Sequence, residues 1–150
     1  MTARARIDSQ PVKILLVEDD LGDADLTYKV FKESKTPLEI MRVRDGEDAL
    51  AYLRKESPYD ASPTPDMILL DLNMPKMSGL EVLEIIKADS RLKEIPVLVL
   101  TCSRSDADRL KAYEHKANFY MVKPGDLYEF FELAKYVEDI WLGGIKRSSK

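Results

Sequence analysis

Five short runs rich in Ile, Leu and Val, each followed by a stretch with helical spacing, set the strongest constraint on what this chain can fold into. They are VKILLV (residues 12–17), LEIMRV (38–43), DMILL (66–70), IPVLVL (95–100) and NFYMV (118–122). Three of them are nearly continuous apolar runs without strict alternation, the pattern of parallel strands covered on both faces. Helical spacing fills the intervals at roughly residues 23–34, 46–55, 79–87 and 105–115. A last helix runs from about residue 126 to 142, where Gly143-Gly144 stops it. Strand and helix alternating five times predicts an α/β fold, a doubly wound five-stranded parallel sheet with right-handed crossovers. The proline-rich connection ESPYDASPTPD (56–66) is long for a helix-to-strand loop and reads as a surface excursion.

Composition narrows the function classes. A chain of 150 residues that is 45% hydrophobic suits one domain with a genuine core. With 33% charged residues and a net charge of −4, it lacks the positive field that nucleic-acid binding needs. No run approaches the roughly 20 apolar residues of a membrane span. The opening MTARARIDSQ has two arginines but no apolar segment behind them, so it is no secretory signal. A lone Cys102 excludes an internal disulfide framework and fits a reducing compartment, and a lone His115 leaves no histidine metal cluster. The expectation is an acidic, single-domain cytoplasmic protein.

In an open α/β sheet, ligands bind beyond the carboxyl ends of the strands. Glu18, Asp19 and Asp20 follow the first run, Asp71 the third, Thr101 the fourth and Lys123-Pro124 the fifth. Each has an ordinary structural explanation. An acidic run after a strand is often a helix cap, Thr101 could cap the next helix, and Asp71 alone could be a turn starter or a functional acid. Together they point further. Clustered carboxylates repel unless a cation neutralises them. Oxygen ligands without His or Cys suit Mg²⁺, which shares its coordination with phosphate. A hard cation, an ammonium and a hydroxyl around one carboxylate are what phosphoryl transfer onto that carboxylate requires.

The segments ILLVEDD, LLDLNMPKMSG, VLVLT and FYMVKP, in this order and spacing, resemble the receiver domain of bacterial two-component response regulators. The resemblance spans nearly the whole chain, and implies a flavodoxin-like receiver fold with strand order 2-1-3-4-5. It implies a receiver domain over residues 12–142 between flexible tails at 1–11 and 143–150. It further implies that Asp71 accepts a phosphoryl group from the phosphohistidine of a sensor histidine kinase. Asp19 would be the direct Mg²⁺ ligand (Mn²⁺ could substitute), Glu18 would act largely through water, and Asn73 would offer its backbone carbonyl. By the same resemblance Thr101 is the switch hydroxyl, Lys123 the phosphate-binding lysine and Tyr120 the aromatic whose rotamer couples to Thr101. Lys123-Pro124 would be a cis peptide bond. Asp20, just past the acidic pair, is expected to cap the first helix, and Cys102 to be a small buried thiol.

Little chain follows Lys123-Pro124, so the expectation is a stand-alone receiver whose output is protein binding. In the last helix, Leu127, Phe130, Phe131, Ala134, Val137 and Trp141 form the stripe expected against the sheet. Leu133, Tyr136, Val137 and Ile140 form a second apolar set, read as an interface. The resemblance places a dimer and output surface on the face of helix four, strand five and helix five, next to Tyr120. The proline-rich connection and the IWL near the end of the last helix resemble the small response regulators paired with cyanobacterial phytochromes. That narrower likeness implies a phytochrome-type kinase partner and a homodimer, with a downstream protein that the sequence does not name. The chain then reads as a signalling protein rather than a metabolic enzyme, although it would catalyse its own phosphorylation and dephosphorylation. Two rivals are a phosphate-independent adaptor and a phosphohydrolase of the haloacid dehalogenase type. The latter needs its nucleophile first in a D-x-D pattern, whereas here the acidic pair comes first and position 73 is Asn.

Overall fold

The structure is a computed structural model that describes residues 11–33, 38–74, 76–102, 105–123 and 127–136, apart from the side chains of residues 127, 130, 133 and 136. Five strands, β1 (Val12–Val17), β2 (Leu38–Val43), β3 (Met67–Leu70), β4 (Val97–Thr101) and β5 (Phe119–Val122), alternate with five helices. The helices are α1 (Leu21–Lys32), α2 (Gly46–Arg54), α3 (Gly79–Ala88), α4 (Asp106–Glu114) and α5 (Leu127–Tyr136). The strands form one parallel sheet in the order β2-β1-β3-β4-β5. The expected fold and strand order are therefore observed.

The continuous apolar runs follow from this layering. Successive side chains of a strand point to opposite faces. Leu15, Val17, Ile68, Leu70, Val97 and Val99 pack with α2 and α3, while Ile14, Leu16, Met67, Leu69, Leu98 and Leu100 pack with α1 and Ala134 of α5. All residues of β3 and β4 are buried. The edge strand β2 alternates instead, with Met41 left 44% exposed, since it has a neighbour on one side only.

Short polar caps set the helix starts. Asp20, Asp45, Ser78 and Ser105 each accept a hydrogen bond from the backbone N–H three residues on. Asp20 caps α1 as expected, but this starts α1 at Leu21, earlier than the expected residue 23, and puts Asp23 inside the first turn. One core expectation fails. Phe131 is 42% exposed, whereas Ala134 on the same stripe is buried. Three residues are about 60° short of a full turn, so a helix that aims Ala134 at the sheet swings Phe131 toward solvent. Val137, Ile140 and Trp141, the side chains of Leu127, Phe130, Leu133 and Tyr136, and the Lys123-Pro124 bond all lie outside the described residues. The cis peptide bond among the described residues is Ser57-Pro58, in the proline-rich connection.

Candidate functional site

The parallel sheet delivers the carboxyl ends of β1, β3, β4 and β5 to one edge, and with them Glu18, Asp19, Asp71, Thr101 and Lys123. Asp71 follows β3 directly, its N–H bound to the Val17 carbonyl of β1 at 3.1 Å. Residues Glu18, Asp71 and Thr101 are buried, and Asp19 is exposed. One carboxylate oxygen each from Glu18, Asp19 and Asp71 lie within 4.8 Å of one another. That all-oxygen set, open to solvent on the Asp19 side, suits a hard divalent cation that keeps some of its water.

Lys123 answers this concentration of negative charge. Its ammonium lies 2.7 Å from Glu18 Oε1, 2.8 Å from Asp23 Oδ2 and 3.5 Å from Asp71 Oδ2, with the side chain only 7% exposed. The backbone positions it, since the Lys123 N–H donates to the Thr101 carbonyl at 2.7 Å. Burial by itself would lower the lysine pKa. Hydrogen bonds to Asp23 and Glu18, and the charges of Glu18 and Asp71, outweigh it and hold the ammonium protonated above its ordinary range. For Glu18, burial wins: its carboxyl is pushed up to about 7, against the opposing pull of Lys123 and with help from the Asp71 charge.

The loop after β3 joins Asp71 to Thr101. The Asn73 N–H donates to Asp71 Oδ1 at 3.2 Å, and Asn73 Nδ2 donates to Thr101 Oγ1 at 3.3 Å. Gly79 closes this loop, its N–H donating to the Leu72 carbonyl at 2.9 Å. A Cβ there would sit 2.3 Å from the Asp71 carbonyl oxygen and 2.6 Å from Leu72 Cα. The glycine is required for close backbone approach, not for a left-handed φ, which no described glycine adopts. Pro75 lies outside the described residues. Tyr120 pairs with Val99 and lies half-buried against the cluster on the α2 and α3 face. Cys102 is exposed rather than buried, because it falls just past the end of β4.

Two residues escaped the sequence reading. Asp23 was counted only as a helix start, yet it is an ion-pair partner of Lys123 across 100 residues of chain. Arg42 donates from Nε to the Glu18 carbonyl at 2.9 Å and from Nη2 to the Asp19 carbonyl at 3.1 Å, tying down the acidic loop. Only the register of β2 against β1 places it there, and a basic residue near the end of the neighbouring strand was the available signal.

The profile of the response regulator receiver domain matches residues 14–135. The response regulator Rcp1 of Synechocystis is 43% identical over 136 residues, covering 90% of this chain and 92% of that protein. Among solved structures, the phosphorylated cyanobacterial phytochrome response regulator RcpA superposes with a TM-score of 0.85 at 43% identity, covering 90% of this chain and 96% of that one. The Mn²⁺-bound form of Rcp1 superposes with a TM-score of 0.82 at 43% identity, covering 88% and 95% respectively.

Proposed function

The chain belongs to the response regulator receiver family, and from that premise we propose that it is a phosphorylation switch whose acceptor is Asp71. The observation that carries this reading is the nearly buried Asp71 carboxylate, held beside a lysine ammonium at the same edge as two further carboxylates. Residues 12–142 form the receiver domain in this reading. The donor is the phosphohistidine of a sensor kinase. Similarity to RcpA, a phytochrome response regulator by name, supports a phytochrome-type kinase.

An Asp71 carboxylate oxygen attacks phosphorus while the phosphorus–nitrogen bond breaks, its electron pair returning to the imidazole. Glu18, Asp19, Asp71 and the Asn73 backbone carbonyl would hold Mg²⁺, or Mn²⁺ as in the Rcp1 structure. When bound, such a cation neutralises charge on the transferring oxygens. Lys123, 3.5 Å from Asp71 Oδ2, would supply a second, complementary positive charge. Thr101, now accepting from Asn73, turns its hydroxyl to the new phosphoryl oxygens, and the half-buried Tyr120 changes rotamer with it. Water later hydrolyses the acyl phosphate and restores the carboxylate, so the chemistry serves signalling rather than metabolism.

The output is a homodimer or partner complex through the face of α4, β5 and α5. Leu110 and Tyr113 of α4 and Tyr128 and Phe131 of α5 are large apolar side chains left exposed, between 42% and 72%. The decisive experiment is phosphotransfer from a labelled histidine kinase to native protein and to Asp71→Asn, with and without Mg²⁺. Label on native protein only, and only with the cation, is expected. Transfer that persists in Asp71→Asn would overturn the assignment.

A further inference from the structure

We propose that Asp23 is a positioning residue that draws the Lys123 ammonium toward α1 and away from Asp71, so that binding of a phosphoryl group by the lysine is coupled to opening of the Asp23–Lys123 pair. The inference rests on Asp71 being the acceptor, and it concerns what opposes the lysine's move to the new group.

The ammonium has three carboxylate neighbours but not three equal bonds. Contacts of 2.7 Å to Glu18 and 2.8 Å to Asp23 are short charge-assisted hydrogen bonds, whereas the one to Asp71, at 3.5 Å, is long and weak. The lysine therefore rests on the α1 side. Asp23 cannot follow it elsewhere. Its N–H is bound to Asp20 Oδ1 at 2.9 Å, and its carbonyl accepts from Thr27 Oγ1 at 2.8 Å, which fixes the backbone in the first turn of α1.

The two short bonds differ in how easily they are given up. The Glu18 side chain is 3% exposed, so its carboxylate would be stranded without the lysine. The Asp23 side chain is 37% exposed, and water replaces the ammonium there at small cost. A phosphoryl group on Asp71 adds strong acceptors beside the longest contact. The ammonium then pivots on Glu18, releasing Asp23 and closing on the phosphoryl oxygens. Asp23 competes with the phosphoryl group for one cation, and its charge lowers the affinity of the site for that group.

Beryllofluoride, a phosphoryl mimic that adds to the acceptor carboxylate, tests this with Mg²⁺ at saturation. Asp23→Asn is expected to lower the half-saturating beryllofluoride concentration several-fold and to raise the rate of labelling from acetyl phosphate. Asp23→Glu keeps the charge and should behave as native. Asp25→Asn removes the same charge from an exposed position of the same helix and should change nothing. Equal affinities for native and Asp23→Asn would overturn the proposal, as would an equal shift in Asp25→Asn, which would reduce the effect to net charge. Asp71→Asn separates the two readings. Beryllofluoride binding that survives in Asp71→Asn sinks the acceptor assignment, whereas binding lost there but unaltered in Asp23→Asn sinks only the role of Asp23.

Discussion

Single residues at the carboxyl edge carry conflicting demands. Glu18 is the sharpest case, a carboxylate buried beside a lysine yet raised to about 7 by loss of water. A carboxyl whose pKa rises on folding binds its proton more tightly in the folded state. Its contribution to stability is complete below the ordinary value of 4.5 and is lost as pH rises through about 7. Metal-free native protein should therefore lose stability relative to Glu18→Gln between pH 5 and pH 8, measured by urea unfolding in a chelator. A constant difference across that range would show that Glu18 stays ionised throughout. Gly79 makes a different demand. Gly79→Ala forces a Cβ against the backbone of Asp71 and Leu72, neither of which is a flexible side-chain end. An overpacking cost of about 1–3 kcal/mol is expected, read as a lower urea midpoint. On the proposed function, phosphorylation should slow as well, since relief of the clash moves Asp71.

At the level of elements, the strands and helices were legible because periodicity and caps are local. Both β1 and β2 match their apolar runs residue for residue. The expected cap of α1, Asp20, is the one observed, but the helix begins directly after it at Leu21, so the expected start at residue 23 falls two residues late. Long side-chain struts are beyond periodicity altogether. Lys87 of α3 donates to the carbonyls of Lys93 and Ile95, both at 3.1 Å, and to Asn118 Oδ1 at 3.0 Å. Asn118 Oδ1 also accepts from Val97 N–H, so one lysine ties α3 to the entries of β4 and β5. Lys87→Met keeps the aliphatic stem but leaves those acceptors to water or to nothing. It should cost about 1–3 kcal/mol by chemical denaturation. An unchanged midpoint would mean that water satisfies all three.

For the whole molecule, the sheet order decides what the residues can do together. Exposed apolar side chains lie on α4 and α5, the helices before and after β5 in the chain, and β5 carries Tyr120 and leads into Lys123. Replacing Tyr128 and Phe131 together by Glu should abolish self-association in sedimentation while leaving phosphotransfer to Asp71 intact. Loss of phosphotransfer in that variant would show that these side chains support the fold rather than an interface. The sequence by itself determined the alternation of elements, the two-sided burial of the central strands and the chemical types gathered at the strand ends. These follow from local spacing and from motifs whose residues lie close in the chain. The tertiary structure alone decided which acid holds the lysine, that Arg42 braces the acidic loop, that Asn73 donates to Thr101 and that Phe131 faces solvent. Those contacts depend on strand register, on the exact rotation of a helix and on pairs up to 100 residues apart, and no local pattern encodes them.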